Sequence, residues 1–209
     1  PTHGIFHSIV GFCVYGGLVK FRGSVVPPLT RRSVPEGVQF KFEFFSDTEN
    51  FAFKVDEPTQ CSVCFKVGIW FDAGMYPGQT DIECICDSCL SSGALIELDI
   101  EPNDCAESDT EDSKTITYKT PSLPCWQDHE WPFISSGQYP VFERIASKED
   151  FTDKLEFIEA YIPEDTDVDF DWLWATLPNE RLKNYTEAGN VSVYLFSLGK
   201  RKYWFFDCN

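Results

Sequence analysis

The sequence predicts an α+β fold: a mixed or antiparallel sheet, a few helices and one small cysteine-bearing module. Three observations carry this. Val38-Gln39-Phe40-Lys41-Phe42-Glu43-Phe44 alternates apolar and polar residues as a half-buried strand does, and residues 191–196 and 203–206 flank Gly199-Lys200-Arg201 as a terminal hairpin. Phe151, Leu155, Ile158 and Ile162 follow at steps of four, three and four, which describes one face of a helix. Cys61-Ser62-Val63-Cys64 and Cys86-Asp87-Ser88-Cys89 are two C-x-x-C turns with 21 residues between them.

A C-x-x-C turn sets two sulfurs on one side of a tight loop. Two such turns face to face offer four thiolates in the tetrahedral array that zinc prefers. Cys61, Cys64, Cys86 and Cys89 are therefore the expected ligands of one Zn2+, in a zinc-knuckle, ribbon-like module over about residues 58–95. The strand-like run 66–71 and the turn Tyr76-Pro77-Gly78 fit a hairpin that returns the chain to the first knuckle. Cys84 competes with Cys86 for one ligand position, and Cys86 is preferred because it keeps the C-x-x-C spacing. The competing reading is two unrelated pairs of buried or disulfide-bonded cysteines.

The remaining elements follow in chain order. Residues 5–19 are mostly apolar, but the run is only 15 residues long, contains His7 and Gly16-Gly17, and has Lys20 and Arg22 behind it. That is short for a membrane span, and a signal peptide carries its basic residues in front. Val26-Pro27-Pro28-Leu29 and Ser33-Val34-Pro35-Glu36-Gly37 look like linker, so residues 1–37 are expected to be an extension and 38–209 the domain. Phe51-Ala52-Phe53-Lys54-Val55 is expected to pair with the first strand, and Leu90-Ser91-Ser92-Gly93-Ala94 to form a short helical turn ended by glycine. Residues 97–112 hold eight acidic side chains and lose any hydrophobic period in their second half, which predicts a solvated loop. They lack the ligand spacing and central glycine of an EF-hand. Thr117-Tyr118 reads as extended, and Ser147 with Asp150 as a capping-box-like start.

Composition narrows the function classes. With 43% hydrophobic residues, nineteen Phe and six Trp, the chain can bury an aromatic core, and disorder is not expected. The net charge of −17 is uneven: 11 of the 17 Lys and Arg but 28 of the 34 Asp and Glu lie in residues 61–209. Such a field repels nucleic acid and anionic membrane and speeds encounter with basic partners. Its plainer meaning is solubility. Nine cysteines with paired C-x-x-C spacing point to metal and a reducing, cytoplasmic compartment more than to a disulfide scaffold.

Other constellations are weaker. Cys125 and His129 stand four apart and would make a thiol–imidazole pair on a helix, against the simpler reading of a packed turn between Trp126 and Trp131. Phe170, Trp172 and Trp174 lie among Asp165, Asp167, Asp169 and Asp171, either as a protein-binding patch or as one buried aromatic face beside an acidic one. There is no Gly-rich phosphate loop, no G-x-S-x-G and no H-E-x-x-H.

From about residue 38 onward the chain resembles the CbrC family, also called UPF0167, which is associated with colicin E2 tolerance. The pieces that carry the resemblance are the aromatic start Phe40 to Phe45, the two cysteine pairs, Thr120-Pro121, Trp126-Gln127-Asp128-His129-Glu130-Trp131-Pro132 and Tyr194-Leu195-Phe196. Three departures stand out. Phe65 replaces the glycine after the first knuckle, Asp87-Ser88 replaces Pro-Trp in the second, and Ile134, Ser135 and Tyr139 stand where the family often has His and Cys. The resemblance implies a tolerance or immunity-like role against a nuclease-type toxin, without a mechanism.

Together these readings predict a zinc-binding, non-enzymatic protein that engages a basic nuclease-type toxin domain. Asp165, Asp167, Asp169 and Asp171 would steer it, and Trp172 or Trp174 would anchor it. The alternatives are a zinc-dependent or Cys/His-dependent enzyme, or a zinc-stabilised regulatory module with a small ligand.

Overall fold

The computed structural model describes residues 40–106, 109–125, 130–134, 136–163 and 167–208. The expected extension 1–37 lies outside these residues, as do Val38, Gln39, Trp126, His129 and Asp165.

The aromatic start alternates in burial but not in pairing. Phe42, Phe44 and Phe45 are buried while Lys41 and Glu43 are exposed, yet no ladder forms. Phe45 makes a single parallel bridge to Phe142; the Phe142 amide donates to Phe44 O at 2.8 Å and the Ser46 amide donates to Phe142 O at 2.9 Å. The apolar side chains reach the core directly, so the period-2 pattern survives without a strand. Residues 51–55 do not pair with this segment either. Helix α1 (Thr48–Phe51), capped by Asp47, takes Phe51 into the core, and Lys54 bridges to Phe71 instead.

The next strands are short. β1 (Thr59–Gln60) pairs antiparallel with β2 (Val67–Gly68), and β3 (Phe71–Asp72) with β4 (Cys84–Ile85). α2 (Asp87–Ser91) runs to Gly93, whose φ of 80° admits glycine without strain, and α3 (Ala94–Leu98) starts there. The expected acidic loop 97–112 is more ordered than its composition implies. Ile100 and Asn103 are buried in it, and β5 (Asp104–Cys105) pairs in parallel with β6 (Glu130–Trp131). α4 (Glu111–Lys119) opens on a capping box between Thr110 and Ser113, and acidic residues in its first turn suit the helix dipole. Thr117 and Tyr118 are therefore helical rather than extended. Asn103 anchors the segment: its side-chain amide donates to Ile116 O, Thr120 O and Pro121 O at 3.0 to 3.2 Å.

The largest sheet comes from the C-terminal part. β7 (Val141–Ile145) pairs antiparallel with β8 (Val191–Leu198), which pairs with β9 (Arg201–Cys208) through a tight turn with Gly199 at φ 61°. The expected terminal hairpin is present. β8 is buried along most of its length because it is covered on both faces. Tyr194 and Phe196 point into one core with Phe42, Phe71, Leu90, Trp131 and Phe142. Val193 and Leu195 point into a second core with Phe151, Phe157, Leu173 and Trp204.

The second core is closed by α5 (Lys154–Glu159) and α6 (Phe170–Thr176). Ser147 and Asp150 do form a capping box, but around a single 3-10 turn, Lys148–Asp150. Arg181 Nε donates to the buried Asp150 at 2.9 Å. α5 itself starts after its own cap, Asp153, and buries a face other than the expected one. Phe157 is buried and stacks on Trp204, with centroids 4.2 Å apart and planes at 11°, whereas Leu155 is 62% exposed. Trp204 Nε1 also donates to Phe157 O at 2.6 Å. Among the described residues no helix is long and apolar enough to cross a membrane.

The corrected helix phase makes a sharp test. Phe157→Ala is expected to lower unfolding stability by about 3–5 kcal/mol, while Leu155→Ala stays within about 0.5 kcal/mol of the parent. Urea unfolding of both variants checks this, and equal costs would restore the Leu155 face.

Candidate metal centre

The first C-x-x-C sits at the tip of the β1–β2 hairpin. The Phe65 amide donates to Cys61 O at 2.9 Å and the Cys61 amide to Lys66 O at 2.8 Å, so the chain coils around residues 61–66. The second C-x-x-C starts a helix: Cys86 is the N-cap of α2, Cys89 lies in its first turn, and the Leu90 amide donates to Cys86 O at 3.0 Å.

Ser62 clasps the two loops together. Its amide donates to Cys84 O at 3.0 Å, and its hydroxyl accepts from the Glu83 amide at 3.1 Å and the Cys84 amide at 3.4 Å. The Cys86 amide donates to Cys61 Sγ at 3.3 Å, a backbone-to-sulfur bond of the kind a thiolate favours. The β3–β4 ladder carries the second loop back to the first, as the spacing predicts.

The four sulfurs of Cys61, Cys64, Cys86 and Cys89 lie within 4.8 Å of one another, and Cys64 Sγ stands 3.5 Å from Cys86 Sγ. A zinc–sulfur bond of about 2.3 Å implies tetrahedral sulfur–sulfur edges of about 3.8 Å, so the cluster has the size to hold a metal ion. Cys61 and Cys86 are buried, Cys64 and Cys89 partly so, and no disulfide joins cysteines among the described residues. Cys84 is buried outside the cluster and its thiol donates to Gln60 O at 3.4 Å. The sulfur that joins the other three is that of Cys86.

Protonation shows the conflict that a cation would relieve. The hydrogen bond from Cys89 holds the Cys86 thiol well below its usual range, and the same bond holds Cys89 up. Burial pushes Cys64 up. One thiolate is stabilised at the expense of its neighbours, because buried like charges oppose one another.

The model of an uncharacterised protein family, UPF0167, matches residues 40–205. The chain belongs to that family. No curated protein and no solved structure matches it. The UPF0167 match contains both cysteine pairs, β7, β8 and the first part of β9, and the buried residues of both cores.

The expected partner-binding residues are dispersed in role. Asp169 caps α6, accepting from the Trp172 amide at 2.9 Å, and Asp171 pairs with Lys154. Trp174 packs against Phe157 at 5.4 Å with Lys148 Nζ 6.0 Å over its ring. Trp172 is 48% exposed and Asp167 is exposed, so these two stand at the surface. Asp165 and His129 lie outside the described residues, and Cys125 is partly buried. Ser62 is the site residue that sequence reasoning missed, because its contribution is to a loop 21 positions away.

Phe65 has φ 62°, the left-handed conformation that glycine adopts freely. Its ring is 66% exposed and contributes little packing to offset that strain of about 1–2 kcal/mol. Phe65→Gly is expected to raise stability by up to about 1 kcal/mol, after the added flexibility of the unfolded chain is subtracted. A thermal melt of the variant beside the parent measures it, and a lower midpoint would show that the ring carries a contact.

Proposed function

We propose that Cys61, Cys64, Cys86 and Cys89 hold one structural Zn2+, and that the chain acts without catalysis, by binding a basic protein partner such as a nuclease-type toxin domain. The observation that supports the metal role is closure. Four thiolates around one zinc would fill a tetrahedral shell and leave no position for a reactive water. An all-thiolate set suits zinc over hard cations, and paired C-x-x-C spacing fits a reducing, cytoplasmic setting.

Protein purified without chelator is expected to carry one zinc per chain by elemental analysis. Stripping the ion should lower the melting temperature strongly, since the apparent binding free energy of about 10–16 kcal/mol for such sites is coupled to folding. Metal-free protein with an unchanged melt, or a Cys61–Cys64 disulfide, would reject the site.

Two features support the partner reading: the whole −17 charge resides in residues 61–209, and Trp172 is exposed beside acidic side chains. A nuclease domain must be basic to hold phosphates, so an acidic partner can cover the same surface. Mixing the purified chain with a colicin E2-type nuclease domain should give binding that associates more slowly as salt rises. Trp172→Ala should speed dissociation by about tenfold or more, while Asp167→Asn slows association. Neither binding nor inhibition at low salt and micromolar concentration would end the toxin reading and leave the metal site untouched.

A further inference from the structure

A cavity of about 610 Å³ lies between the turn that follows β3, the segment that enters β5, and the loop carrying Tyr185. Phe53, Tyr76 and Tyr185 form aromatic wall, with Phe53 and Tyr185 edge to face at 4.9 Å and 88°. Asp56, Asp72, Glu101 and Asp104 line the same cavity and are all exposed.

None of these four carboxylates has an ion-pair partner among the described residues. Lys54, which also lines the cavity, is paired with Glu49 at 2.5 Å. Asp72 accepts from the Gly74 amide, Asp104 from the Cys105 amide and Glu101 from the Tyr118 hydroxyl. Each uses one oxygen and leaves the other without a donor among the described residues. The Tyr76 hydroxyl accepts from the Ser122 amide at 3.5 Å and donates to no described group; burial pushes its pKa up, so it stays a neutral donor.

The wall is fixed in place. The Glu101 amide donates to Pro77 O at 2.9 Å, and a Cβ on Gly78 would meet Asp99 O at 2.7 Å, so only glycine lets the two segments approach.

The chemistry of an occupant follows from the spacing. Among the described residues only the four cysteines converge closely enough to hold a metal ion. The carboxylates are spread around a volume instead of meeting at a point. An extended organic cation fills such a space, pairing its charge with the rim and its carbon chain with the rings.

We propose that this cavity binds an organic cation, an amine or guanidinium on a short carbon chain, either free or as the side chain of a basic partner. The site needs neither the metal nor the toxin reading.

Calorimetric titration of the full chain with agmatine tests it. Agmatine should bind saturably at one per chain, and Asp72→Asn with Glu101→Gln should weaken it by about tenfold or more. Asp56→Asn, which removes a carboxylate with no hydrogen bond to lose, should weaken it in the same direction. Glu159→Gln with Glu180→Gln, the same charge change outside the cavity, should leave it within about twofold. Equal weakening by both double variants would mean that net charge alone attracts the cation, and would overturn the proposal, as would the absence of saturable binding at low salt. A capped Gly-Arg-Gly peptide separates the sources: tighter binding than agmatine assigns the cavity to a partner's side chain, weaker binding to a free amine.

Discussion

The cysteine-bearing half of the domain has no ladder longer than two residues among the described residues, so its order depends on what ties its loops together. Two-residue ladders contribute few cooperative hydrogen bonds and cannot hold a hairpin in water alone. Core packing of Phe71, Ile85, Leu90 and Leu95, the Ser62 clasp and the meeting of four sulfurs supply the missing connection. That meeting contains a conflict, since the hydrogen bond that stabilises the Cys86 thiolate keeps the Cys89 proton in place. A shared cation would ionise all four sulfurs at once, and the proposed zinc rests on their meeting within 4.8 Å of one another.

The other half is organised differently. β8 separates two aromatic cores, and its alternation assigns Tyr194 and Phe196 to one and Val193 and Leu195 to the other. The ladders of the large sheet are long enough to carry themselves, and the Phe157–Trp204 stack closes the second core without help from a metal. Stability in this half comes from area buried, about 25 cal/mol for each Å² of apolar surface. A loss of metal is therefore expected to act first on the knuckles and the loops around them.

The acidic side chains serve several purposes. Asp150 is buried and bonded to Ser147 and Arg181, Asp169 caps a helix, and Asp171 pairs with Lys154. Those at the cavity have no cationic partner among the described residues. A net charge summed over sequence cannot make that distinction, because it counts a capping aspartate and a rim aspartate alike. The aromatic pair shows the same: Trp172 and Trp174 are two positions apart on α6, and only the packing of Phe151 and Phe157 decides that Trp174 turns inward.

The sequence by itself determined what rests on local chemistry. The C-x-x-C spacing marked the two knuckles, Gly199 and its flanking aromatic runs marked the terminal hairpin, Gly93 marked the end of a helix, and Ser147 with Asp150 marked a capping box. Each is decided by residues within a few positions of one another. Tertiary structure decided the rest. The alternating phenylalanines at 40–45 became a loop because their partner is a core and not a strand, and the acidic stretch is ordered where buried Asn103 ties it to the carbonyls of Ile116, Thr120 and Pro121. Cys86 joins the cluster as the spacing predicts, while the orientation of Cys84 toward Gln60 comes from the β4 ladder. The Phe157 face won over the Leu155 face because Phe157 stacks on Trp204 of β9, and the cavity exists only where stretches far apart in the chain meet. Contacts of high sequence separation leave no periodic trace along the chain, and that is why they had to be seen in the fold.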